Sequence, residues 1–209
     1  MKTVFYIYIL LGISLSSFAQ TFEGKITFST ADLTSKETAQ VDYYTNGSYG
    51  KMLFQTNNEF GSNQYEIYTE SNGSKTYLAT PSTSTYIDVS NHINGFDLYQ
   101  NTIFAAKTGQ TQSILGYTCE EVKLTTDQNQ ITIWVSTQLP FTKTDLSSPL
   151  AQSGIFEILN QWQIAGIPVK TEIKDKKGNL TSSQEITNIV IQAQNVSDLQ
   201  LPIHYTAAD

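Results

Sequence analysis

From Phe22 onward, apolar and polar positions take turns. Phe22, Gly24, Ile26 and Phe28 alternate with Glu23, Lys25, Thr27 and Ser29. A period of two belongs to a strand with one buried face. Ala39, Val41 and Tyr43 repeat it against Gln40, Asp42 and Tyr44, and Asn46-Gly47 follows as a hairpin turn. Met52 and Phe54 fall on the next strand. Tyr65, Ile67 and Thr69 form another, which Asn72-Gly73 turns into Tyr77 and Ala79. Pro81 stops that strand, and Tyr86 to Val89 makes one more. The stretch 21–90 therefore predicts about six strands in up-and-down order.

The middle of the chain changes period. Phe96, Tyr99, Ile103 and Ala106 are spaced by three and four, which predicts a short helix ending before Gly109. Strands resume with Val122 and Leu124, turn at Asp127 to Asn129, and return through Ile131, Ile133 and Val135 to a stop at Pro140. The polar segment 141–153 reads as a long loop or helix entry, and Ile155 to Leu159 as a second helical piece. Val169, Thr171 and Ile173 give a strand. Lys177-Gly178-Asn179 turns it, and Leu180 to Ile191 is the last long strand. The tail around Pro202 reads as irregular.

No linker or composition break interrupts this series, so 20–209 is expected to be a single domain. The fold class is mainly β with two short helices (α+β). A sheet wet on one face must cover the other, and two short helices are a small cover for so many strands. The gap left on the apolar face is where a ligand would sit. The candidate lining is Ile26, Phe28, Val41, Tyr43, Ile133 and Val135.

The N-terminus stands apart. Met1-Lys2, an apolar run from Val4 to Ser16, and Ser17-Phe18-Ala19 before Gln20 make residues 1–19 a secretory signal peptide cleaved after Ala19. The run falls short of the ~20 apolar residues of a spanning helix. No other run is long enough, so no membrane span is expected after signal removal. The only Cys is Cys119, so no Cys follows the cleavage site to take a lipid anchor.

Composition narrows the chemistry. The 209 residues carry a net charge of −7, and all twelve basic residues are Lys. An acidic chain without Arg is a poor nucleic-acid partner. One Cys and two distant His, His92 and His204, do not build a closed zinc site, and an intrachain disulfide is excluded. Cys119 is followed by Glu120 and Glu121, which oppose thiolate formation, and reads as a small buried hydrophobe. Glu120 and Glu121 are adjacent and point to opposite faces of a strand, so they are no acid–base pair. Neither a nucleophile elbow nor a phosphate-binding loop is present. No catalytic residue, metal or cofactor is assigned. Asn46, Asn72, Asn179 and Asn195 head glycosylation triplets, but Asn46 and Asn72 suit turns first. Tyr43, Tyr44, Tyr49, Tyr65, Tyr68, Tyr77 and Tyr86 crowd the first six strands. Cross-strand packing explains them, with a sugar- or lipid-binding surface as the alternative.

The order of parts resembles a known family. Phe22-Glu23-Gly24-Lys25-Ile26-Thr27-Phe28 opens the mature chain. Ile114-Leu115-Gly116-Tyr117-Thr118-Cys119, Ile131-Thr132-Ile133-Trp134-Val135 and the hairpin from Gly166-Ile167-Pro168-Val169-Lys170 follow. In these the chain is similar to the exported LolA-like domains of unknown function (family 4412) of Gram-negative bacteria, in the lipoprotein-carrier-like superfamily. The resemblance implies a curved antiparallel half-barrel with helices over its concave face. It also implies carriage of lipid or acyl chains in the periplasm. The carrier's gating Arg has no counterpart here, so its mechanism does not transfer. The expected role is a non-enzymatic periplasmic or secreted protein binding a lipid or other hydrophobic small molecule. The alternative is a structural or protein-interaction module of the cell envelope, with an envelope protein as partner.

Overall fold

The computed structural model describes residues 21–58, 61–70, 75–90, 101–146 and 154–208. The signal segment, the Asn72-Gly73 turn, His92, Phe96 and Tyr99 lie outside them. The described residues form one open, curved sheet of twelve strands. The strands are β1 (Gly24–Asp32), β2 (Glu37–Thr45), β3 (Gly50–Asn58), β4 (Gly61–Thr69), β5 (Thr76–Thr80) and β6 (Thr85–Asp88), then β7 (Thr102–Ile114), β8 (Tyr117–Thr126), β9 (Asn129–Ser136), β10 (Ile167–Asp175), β11 (Leu180–Ile191) and β12 (Thr206–Ala207). Their order across the sheet is β12-β6-β5-β4-β3-β2-β1-β11-β10-β9-β8-β7. Two antiparallel meanders therefore meet where β1 pairs with β11, Gly24 opposite Ile191. The two-residue β12 alone pairs in parallel, with β6.

The period-two reading holds along both meanders. Ile26, Tyr43, Met52 and Ile67 are successive cross-strand partners, so one row of apolar side chains runs across four strands. The opposite face carries the charges. Lys25 pairs with Asp42 at 2.8 Å, Lys51 with Glu66 at 2.9 Å, and Lys123 with Glu121 at 2.9 Å. This segregation of apolar and ionic rows fixes the register, since a slip by one residue would bury the charges.

Among the described residues there are two α-helices, and the first stretch expected to be helical is described only from residue 101 on. Helix α1 (Gly154–Gln161) matches the second helical piece and buries Ile155, Phe156 and Leu159. Ile103 and Ala106 instead lie in β7. Their three-residue spacing is an accident of a strand that carries bulges after Thr102 and after Lys107; the second bulge holds Gly109 at φ +81°. The four-residue α2 (Val196–Leu199) belongs to the tail. The cover of the concave face is thus α1 with the 137–146 segment. That segment is tied to the sheet at Asp145, whose carboxylate accepts from Phe22 N at 3.1 Å and whose carbonyl accepts from Tyr43 Oη at 3.2 Å.

The tail is ordered rather than loose. Gln192 N donates to Glu23 O at 3.1 Å, and the chain then crosses to the far edge, where Thr206 N and Ala208 N donate to Ser84 O and Tyr86 O. Leu199 is buried along this path and stands outside the main core cluster. Beside Tyr205 lies a buried group: Tyr68 Oη donates to Glu66 at 2.6 Å, and burial followed by that carboxylate pushes the Tyr68 phenol far up. Among the described residues no helix is long and apolar enough to cross a membrane.

Candidate functional site

Two irregularities in the sheet make room beneath the cover. β1 and β11 shift register between Thr27 and Phe28. β10 and β9 shift between Pro168 and Lys170, where Pro168 has no N–H to offer the ladder. Bulges bend a strand and re-aim its side chains. Between them lies a cavity of about 90 Å³. Phe28, Val169 and Ile186 form its sheet side, and Phe141, Ile155 and Phe156 its cover. Lys170, Thr171 and Gln184 are polar members of the lining. Lys143 Nζ lies 5.4 Å from the centre of the Phe156 ring, and Phe22 packs on Phe141 at 5.3 Å.

The six sequence candidates are all buried in one core cluster. Phe28 lines the cavity. Ile26, Val41, Tyr43, Ile133 and Val135 lie in the packed floor around it and do not line it. The lining residues absent from the candidate list come from the cover (Phe141, Ile155, Phe156) and from the strands displaced by bulges (Val169, Ile186). The Ile155–Leu159 spacing was the available signal for the cover.

Cys119, His204, Glu120 and Glu121 do not line this cavity, and His92 lies outside the described residues. Cys119 is fully buried, its thiol pushed up by burial, and its Sγ lies 3.6 Å from Tyr117 O. His204 sits in the tail, edge-on to Tyr205 at 4.9 Å. Glu121 is held low by the Lys123 ammonium and the Thr108 hydroxyl, and Glu120 pairs with Lys107. Among the described residues no three or more His, Cys, Asp or Glu gather as metal ligands. Three of the four triplet asparagines serve turns. Asn46 Oδ1 accepts from Ser48 N and Tyr49 N, and Asn179 and Asn195 donate to Asp175 and Asp198.

Solved structures share the fold. An uncharacterised conserved protein from Thermus thermophilus superposes with a TM-score of 0.54 at 7% identity, over 91% of each chain. The Pseudomonas aeruginosa MucA/MucB complex matches with a TM-score of 0.53 at 11% identity, over 89% of this chain and 58% of that one. MucB in complex with MucA(peri) gives 0.50 at 9% identity, over 89% and 56%. The chain thus spans little more than half the length of those MucA/MucB matches. No curated protein sequence matches it. Over residues 22–205 it matches the family described as Domain of unknown function (DUF4412), with the curved open sheet that its LolA-like resemblance implies, and it belongs to that family.

Proposed function

We propose that the protein is an exported, non-catalytic binding protein of the Gram-negative cell envelope. It holds the apolar part of a lipid or other hydrophobic small molecule between α1 and the concave sheet. The apolar cavity under Phe141, Ile155 and Phe156 carries this reading. At about 90 Å³ it is smaller than the ~150 Å³ cavity that takes benzene in an engineered core. It therefore seats a chain end or a short apolar group, and a longer chain enters only as α1 lifts from the sheet. The polar members Lys170 and Gln184 suit an amphipathic molecule.

Delipidated protein titrated with a fluorescent fatty acid is expected to bind saturably. Ile186→Trp, which fills the cavity from the sheet side, is expected to abolish the signal. Absence of saturable binding by the wild-type protein overturns the reading.

A second reading, as a protein-interaction module, rests on β7. Residues 107–113 of this edge strand are all exposed, and an exposed edge offers backbone groups to a partner strand. The matched MucB structures include complexes of MucB with MucA, which supports this reading by analogy of fold. A stable envelope partner lost on introducing Pro at Gln112 supports it, and a solitary monomer under native conditions counts against it.

A further inference from the structure

The β7–β8 hairpin closes through Leu115-Gly116, and both residues are left-handed, at φ +54° and +83°. Asn, Asp or Gly fills such a turn at least cost, and a bulky side chain there is strained. Leu115 is 43% exposed, so burial does not offset that strain. Strained residues of this kind gather at ligand clamps and switches.

Leu115 lines a cleft of about 460 Å³. Small-molecule sites span ~300–1,000 Å³. Gln112 and Ile114 belong to the same wall, and Lys170, Glu185 and Thr187 to the facing one. Register puts both walls on the ionic face of the sheet. Glu121, Trp134, Lys170 and Glu185 are successive cross-strand partners. Gln112 is opposite Cys119, which lies two residues from Glu121 and so shares its face. Lys170 and Ile186 border both this cleft and the apolar cavity, which lies on the other side of β10 and β11.

The charges on the facing wall do not cancel. Lys170 is bound to Glu172 at 2.8 Å. Glu185, half-buried, feels the same ammonium across the ladder. Among the described residues its carboxylate makes no hydrogen bond or ion pair of its own. One ammonium thus stands against two carboxylates, and the second carboxylate faces the cleft as an acceptor without a donor.

We propose that this cleft binds a small organic ammonium ion, with its N–H groups on the Glu185 carboxylate and a short apolar arm against Leu115. An anion is disfavoured, because Lys170, the ammonium in the lining, is already held by Glu172. The site does not depend on the lipid reading.

Calorimetric titration with hexylammonium chloride, 1-hexanol and sodium hexanoate tests this. Hexylammonium is expected to bind saturably, about fivefold or more tighter than the other two. Its binding is expected to weaken as salt is raised, since an ion pair at the surface is screened. Glu185→Gln is expected to weaken hexylammonium by about fivefold or more, with a melting temperature that shows the variant folded. Leu115→Asn suits the turn better, so it is expected to hold or raise the melting temperature while weakening hexylammonium by about threefold. Salt dependence and the contrast among the three compounds are read on the unaltered protein, so they decide the matter even where a variant fails to fold. Equal binding of 1-hexanol signals entry into the apolar cavity and overturns the proposal. So does the absence of saturable hexylammonium binding, or binding that Glu185→Gln or Leu115→Asn leaves unchanged.

Discussion

Ile133 and Ile103 are the same residue type on strands of one sheet, yet they do different work. Ile133 is fully buried, and Ile103 is 63% exposed on the edge. Ile133→Ala leaves a hole in the core and is expected to cost about 2–5 kcal/mol. Ile103→Ala is expected to stay within about 0.5 kcal/mol. Urea unfolding of the two variants checks the contrast. Gly24 marks the opposite limit, because an added Cβ would run into the Val190 carbonyl and the Phe22 ring. Gly24→Ala is expected to destabilise by about 1–3 kcal/mol through overpacking. Glu121 contributes on the acid side. Its carboxyl is held low, first by the Lys123 hydrogen bond. A lowered carboxyl contributes stability above the unfolded pKa and loses it as pH falls through the folded one. The stability gap between wild type and Glu121→Gln is therefore expected to be full near neutrality and to close on acidification below the usual Glu range. Urea midpoints measured across that range test the sign.

At the scale of elements, the long strands were legible and the irregular parts were not. β1, β2, β9, β10 and β11 show their period of two because one face is dry and the other wet. β7 hides its nature because it is an edge strand: Ile103 and Phe104 are exposed neighbours, and its bulges break the alternation. The cavity was hidden for a related reason. Alternation names every inward residue alike, so it gave Ile26 and Ile133 the same standing as Phe28. The cover and the two register shifts then decide which of them meets empty space. The tail gave no periodic signal, since a crossing strap needs only an anchor such as Leu199. Leu199→Ala is expected to lower stability by about 2–4 kcal/mol. Faster hydrogen exchange confined to β4–β6, read by mass spectrometry, tests whether the tail seals that half.

Over the whole molecule, charge and hydrophobicity are sorted by face rather than by region. The apolar rows meet α1 and the 137–146 segment, and the ionic rows lie on the other face. Protection from exchange is expected to peak at β1 and β11, in the middle of the sheet, and to be lowest at β12, which adds two residues to one edge.

The pairing of β1 with β11 also orders events in time. A chain delivered N-terminus first can build the β1–β6 meander from neighbouring hairpins as it arrives. The free side of β1 must then wait for residues 180–191 before the seam at Gly24 and Ile191 can close. The centre of the sheet is completed last, and until then Ile26 and Phe28 lack their β11 neighbours. Such a chain cannot fold fully part-way through a narrow channel, a property that suits export as an extended polypeptide. It also makes the interval before closure the time when the sheet most needs protection from aggregation.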